Sequence, residues 1–168
     1  MSKKRIQLTL FTDEKESKAI EKIRKEFNPE QFELIKSHVT LCRENELELV
    51  ENLIQNLEAL DYKYITINFG PPVRFCNGKG VLIPAIGDTD QFQKLRDLIF
   101  RRIIIDQGNP TPHITLMHPR NSTCTDGIFE QIENTGFPDK LAFRKISLIE
   151  QEEKNKWKIL KEFELNAF

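Results

Sequence analysis

The chain contains three histidines, His38, His113 and His118. Two of them open nearly identical tetrapeptides, His38-Val39-Thr40-Leu41 and His113-Ile114-Thr115-Leu116. Imidazole titrates near pH 6.5, so it can take up or release a proton close to neutrality. A threonine hydroxyl can donate a hydrogen bond to a phosphate oxygen. On a β-strand, side chains at i and i+2 share one face about 7 Å apart. Each motif would therefore project His and Thr together, with Val39 and Leu41, or Ile114 and Leu116, turned the other way. Two such strands side by side would offer a phosphate two hydroxyls and two imidazoles.

Chance is a weak rival to this reading. Two of three histidines with Thr at +2 should arise in roughly one random shuffle in a hundred, before the residues at +1 and +3 are considered. The plainer reading, two strand histidines bonded to backbone, leaves the pairing unexplained. A metal site lacks ligands: no His-Glu-x-x-His and no carboxylate cluster accompanies the motifs. Cys42, Cys76 and Cys124 form no CxxC pair, and no cysteine–histidine arrangement supports a thiol nucleophile. Cys42 and Met117, four residues after their histidines, read as packing groups on the motif face.

The elements that would carry these motifs alternate between two hydrophobic periods. Strands are predicted at 5–12, 35–43, 64–69, 81–86 and 113–118, and an antiparallel pair at 140–151 and 156–165. Helices are predicted at 13–27, 46–60, 92–103 and 127–134, the first closed by Asn28-Pro29. The order is β-α-β-α-β followed by β-α-β-α-β-β. This implies an α+β fold of two duplicated units, lobes 1–75 and 76–168 within one domain, with possible strand exchange. Helices would lie outside, and antiparallel-containing sheets would face a central cleft. Each motif occupies the second strand of its half, and 75 residues separate the two histidines.

Composition sets the outer bounds. The chain has 168 residues, 39% hydrophobic and 30% charged, with a formal net charge of −1. No global field attracts a polyanion, so nucleic acid would need a local basic patch. The cysteines suit reduced thiols. The N-terminus enters a charged segment too early for a signal peptide, and no apolar run spans a bilayer. A cytoplasmic protein without a membrane association is expected, and nothing points to an obligate protein partner.

Paired His-x-Thr-Leu motifs on strands of a duplicated α+β unit resemble the two-histidine (2H) phosphoesterase superfamily, and within it the RNA 2′,3′-cyclic phosphodiesterase and 2′-5′ RNA ligase-like branch. The resemblance covers nearly the whole chain in element order, including the closing segments RKISLIEQ and KWKILKEFEL. Members of that branch often carry Arg two residues after the motif leucine. Arg43 matches; in the second half His118 takes that place and Arg120 is the nearest arginine.

The resemblance implies metal-free, cofactor-free acid–base chemistry at phosphorus. His38, Thr40, His113 and Thr115 would be the catalytic set. By analogy His38 would be the acid that protonates the departing ribose oxygen and His113 the base that activates water, although the sequence leaves these roles interchangeable. The substrate would be an RNA end or a nucleotide bearing a cyclic phosphate. A 2′-5′ ligase, or a binding protein retaining the cleft, would share the motifs.

Arg43 and Arg120 are candidate phosphate contacts, and Phe11 and Phe75 candidate base-stacking residues. Arg74 and Lys79 flank Phe75 in the segment FGPPVRFCNGKG, expected to be a surface loop. His118, five residues after His113, falls on the opposite face of an unbroken strand. It is expected outside the catalytic set unless Pro119 bends the chain.

Overall fold

The computed structural model describes residues 2–167. Its strands are β1 (Lys4–Phe11), β2 (His38–Cys42), β3 (Ile65–Asn68), β4 (Val73–Phe75), β5 (Gly80–Pro84), β6 (His113–Met117), β7 (Lys140–Phe143), β8 (Lys145–Glu152) and β9 (Lys158–Glu164). Its helices are α1 (Lys18–Phe27), α2 (Pro29–Leu34), α3 (Val50–Glu58), α4 (Asp90–Ile99) and α5 (Asp126–Glu133). The α+β class holds, with every named strand pairing antiparallel.

Seven strands form one sheet in the order β4-β5-β6-β2-β1-β8-β9, and β3 pairs with β7 in a separate ribbon. The two motif strands are thus neighbours at the middle of the large sheet. A single register pair, Val39 opposite Ile114, joins them. The halves of the sheet are not contiguous chain segments, because the C-terminal β8 pairs with β1 along most of its length. The long strand predicted at 140–151 is divided at Arg144. Its first part pairs with β3 and its second with β1 and β9.

Apolar side chains explain this arrangement. Val39 and Leu41 on β2, and Ile114 and Leu116 on β6, are at most 1% exposed and belong to the core. There they join Ile20 and Ile23 of α1 and Phe92, Leu95 and Ile99 of α4. Helix α1 packs against β6 and α4 against β2, so each helix backs a motif strand. Segment 14–17 winds as turns before the first helix, and Asn28 divides that helix from the short α2, where Pro29 sits at the first position. The segment expected to be a loop after β3 instead forms the β4–β5 hairpin, turning through Cys76, Asn77 and Gly78, all at positive φ.

Both motif strands carry the same irregularity. Leu8 and Thr9 on β1 oppose Cys42 and Thr40, leaving Leu41 as an extra residue. Val81 and Leu82 on β5 oppose Met117 and Thr115, leaving Leu116 as the extra one. Each is a two-against-one bulge at the motif leucine, a feature that re-aims the side chains following it.

Candidate active site

The antiparallel register places His38 across from Thr115, and Thr40 across from His113, one position either side of the Val39–Ile114 pair. All four side chains line one pocket of about 220 Å³. The pocket is completed by Arg5, Gln7, Gln31, Leu34, Ile35, His118, Arg120, Gln151 and Trp157. The sequence motifs thus converge on one cleft from neighbouring strands.

The two imidazoles are held in matching ways. His38 Nδ1 lies 2.8 Å from the Lys36 carbonyl oxygen, and His113 Nδ1 lies 3.1 Å from that of Thr111. A carbonyl oxygen only accepts, so each Nδ1 carries the proton of the neutral ring and Nε2 is left with its lone pair. Phe11 is the cross-strand partner of His38 and meets it edge-on, ring centroids 6.1 Å apart. Phe11 also lines a separate groove with Trp157 and Lys156. Thr40 Oγ1 accepts from Gln7 Nε2 at 3.1 Å, so its own hydroxyl proton is free to point elsewhere.

Burial pushes the His38 pKa down to about 4, with the positive charge of Arg24 and the neighbouring His113 adding to the effect. The Lys36 hydrogen bond and Glu21 pull the other way without offsetting it. His38 is therefore neutral at physiological pH in the free protein. Burial likewise raises the Cys42 thiol far out of the range in which it would ionise.

His118 and the +4 residues differ from the sequence expectation, and the bulges explain both. After each extra leucine the next side chain is swung inward, so Cys42 is 0% and Met117 1% exposed. They pack in the core and do not floor the cleft. The following position returns to the cleft side. Strand β6 ends at Met117, and His118 lines the pocket. Its backbone N–H donates to Oδ1 of the buried Asn28 at 2.7 Å, which ties the turn after β6 to the end of α1. Both nitrogens of His118 face donors of Arg120, the backbone N–H at 3.1 Å and Nη2 at 3.1 Å. A neutral ring can accept at only one of them. Burial, then Arg120 and Arg5, lower the His118 pKa.

Arg43 occupies the equivalent position in the first half. It lines an adjoining groove with Arg5, Gln7, Thr40 and His113. Phe75 lies elsewhere, its ring against Gly80 in the β4–β5 hairpin. Arg74 is committed to structure through Asp126, the Gly78 carbonyl and the Cys124 carbonyl. Lys79 belongs to the same hairpin turn, its N–H donating to the Cys76 carbonyl. Among the described residues, no group of three His, Cys, Asp or Glu could hold a metal ion, and no helix is long and apolar enough to cross a membrane.

Sequence reasoning did not single out Arg5, Gln7, Gln31, Gln151 or Trp157. Arg5 Nη1 donates to Gln151 Oε1 at 3.1 Å, and its guanidinium sits 5.3 Å from the Trp157 ring centroid. Gln7 shares β1's alternation with Arg5 and Thr9, a pattern visible in RIQLTLF but silent about which face meets the motifs.

Comparison with known proteins agrees with this geometry. The family model for the 2′-5′ RNA ligase superfamily matches residues 12–155. The chain belongs to that superfamily, a branch of the 2H phosphoesterases. Solved structures share the fold. E. coli LigT complexed with phosphate superposes with a TM-score of 0.66 at 16% identity, covering 99% of each chain. LigT complexed with 3′-AMP gives the same values. A structure described as a phosphoesterase gives a TM-score of 0.67 at 16% identity, covering 98% of this chain and 99% of its own. No curated protein sequence matches the chain.

Proposed function

We propose that the chain is a metal-independent phosphodiesterase that opens a 2′,3′-cyclic phosphate, or a related cyclic or 2′-linked phosphodiester, on an RNA end or nucleotide. The observation that carries this reading is the pair of His-x-Thr motifs on adjacent strands, lining one pocket with both Nδ1 atoms tied to backbone carbonyls. The phosphate and 3′-AMP complexes of E. coli LigT support a phosphate-bearing nucleotide as the ligand of this cleft.

In this reaction Thr40 and Thr115 donate hydrogen bonds to the non-bridging phosphoryl oxygens. One imidazole accepts a proton from water as its oxygen bonds to phosphorus. The bond from phosphorus to one ribose oxygen breaks, and the other imidazolium protonates that oxygen. The product is a phosphomonoester beside a free hydroxyl. His38 enters neutral, so if it is the donor its proton must arrive with the substrate. The anionic phosphate supplies the charge that favours this uptake.

The deciding experiment is incubation with adenosine 2′,3′-cyclic phosphate and with cyclic-phosphate-ended oligonucleotides, in EDTA, with product detection by phosphorus NMR. Conversion to a phosphomonoester is expected. Binding without turnover would mark a ligand-binding protein that retains the cleft. Activity lost in EDTA and restored by zinc or manganese would overturn the metal-independent mechanism.

A further inference from the structure

The backbone leading into each motif is pinned by side chains outside the pocket, at positions that correspond between the halves. In the first half, the carbonyl three residues before the histidine, that of Ile35, accepts Nη2 of Arg24 at 2.6 Å. The carbonyl two residues before it, that of Lys36, accepts His38 Nδ1. The carbonyl one residue before it, that of Ser37, accepts the backbone N–H of Thr12 just past β1 at 3.2 Å.

The second half repeats all three at an offset of 75 residues. The Pro110 carbonyl accepts Nε2 of Gln93 at 3.0 Å. The Thr111 carbonyl meets His113 Nδ1. The Pro112 carbonyl accepts the N–H of Ala85 just past β5 at 2.9 Å.

The helix side chains differ for a reason visible in the backbone. Pro110 and Pro112 fix their own φ and offer no N–H, so one neutral amide is enough to hold that approach. Ile35-Lys36-Ser37 has no such stiffness, and it is held by charge. Arg24, only 2% exposed, is gripped by both carboxylate oxygens of Glu21 at 2.8 and 2.9 Å. Glu21 in turn accepts the Ser37 N–H at 2.8 Å. Arg24 and Glu21 thus hold the peptide groups on either side of Lys36, whose carbonyl sets the proton on His38.

We propose that α1 and α4 each carry a positioning device for one imidazole, Arg24 locked by Glu21 for His38 and Gln93 for His113. These groups hold a carbonyl where it fixes the Nδ1–H tautomer and aims Nε2 at the phosphate. The assignment rests on the two-imidazole reading above, but ring tautomers can be measured without substrate.

The test is ¹⁵N NMR of the histidine rings in the full chain, for wild type, Arg24→Met, Arg24→Lys and Gln93→Leu, followed by steady-state kinetics. Wild type should show Nδ1–H at both rings. Gln93→Leu should mix tautomers at His113 and leave His38 unchanged; Arg24→Met should do the reverse, with Arg24→Lys partly restoring it. kcat should fall about tenfold or more in each disrupted variant, as for other groups that orient a ligating or catalytic histidine, with little change in KM. Should Arg24→Met fail to fold, the half-buried, uncharged Gln93 decides the matter alone. A folded Gln93→Leu protein whose His113 tautomer is unchanged overturns the proposal. So does one in which both rings change together, since that reports general loosening. A chain inactive on every cyclic phosphate would sink the functional reading yet leave the tautomer result standing.

Discussion

His38 is the side chain on which the chemistry turns most sharply, because its burial and its proposed work pull in opposite directions. Burial keeps it uncharged, with a pKa of about 4, whereas acid–base catalysis needs one ring of the pair protonated. Binding inorganic phosphate should therefore raise the His38 pKa, read by NMR titration of its ring; an unchanged value would mean that the anion does not sit against Nε2. Each proton transfer typically contributes ~10²–10⁴-fold, so His38→Ala and His113→Ala should each lower kcat by at least about a hundredfold. The double variant should fall far short of the product of the two, because the rings act as a unit. Thr40→Ala and Thr115→Ala remove hydrogen bonds to a charged group and should cost roughly 1.5–3 kcal/mol each in kcat/KM. That these four residues share one pocket was legible in the sequence, because a repeated tetrapeptide survives any uncertainty about the fold. Gln7 and Trp157 were not: each stands alone, in a segment far from both motifs, and reaches the pocket only through the pairing of β1 with β2 or, for Trp157, through its backbone N–H bonded to the Leu34 carbonyl.

At the scale of the element, the bulges decide what strand alternation could not. A period of two, applied through Leu116, sends His118 away from the cleft, and the extra residue reverses that outcome. A bulge has no fixed residue signature when no glycine is required, so neither Leu41 nor Leu116 advertised it. The β4–β5 hairpin was hidden for a different reason: Pro71 and Pro72 read as a loop, and the three-residue β4 that follows is too short to show a period. That hairpin offers a separable test. A Cβ on Gly80 would fall 2.5 Å from the Phe75 ring, so Gly80→Ala must push the ring aside. It should lower stability by about 1 kcal/mol or more in urea unfolding. kcat/KM on a mononucleotide cyclic phosphate should stay within about twofold. A large catalytic loss would instead place Phe75 at the substrate, as its sequence context first suggested.

For the whole molecule, pH should act on folding through the same ring that serves the cleft. The order of strands and helices was largely readable, since alternating hydrophobic periods locate elements. Their assembly was not, since nothing local in 140–151 tells that β7 leaves for β3 while β8 crosses to β1. That crossing builds the sheet half in which His38 is desolvated. Unfolding returns the ring to water, where its pKa reverts to about 6.5. Above that value both states are neutral at His38, and the ring adds no pH dependence. Between about 6.5 and 4 the unfolded chain binds the proton and the folded one does not, so stability falls with pH across this window. Below about 4 both states are charged and the loss is complete, of order 3 kcal/mol. Carboxylates titrate in part of the same range, so the measurement is a difference. Urea unfolding of wild type and His38→Asn from pH 7.5 to 4.5 should show the wild type losing more stability, with most of the divergence below pH 6.5. Parallel curves would mean that the folded protein accommodates a charged His38 without cost, and that the cleft is wetter than its packing implies.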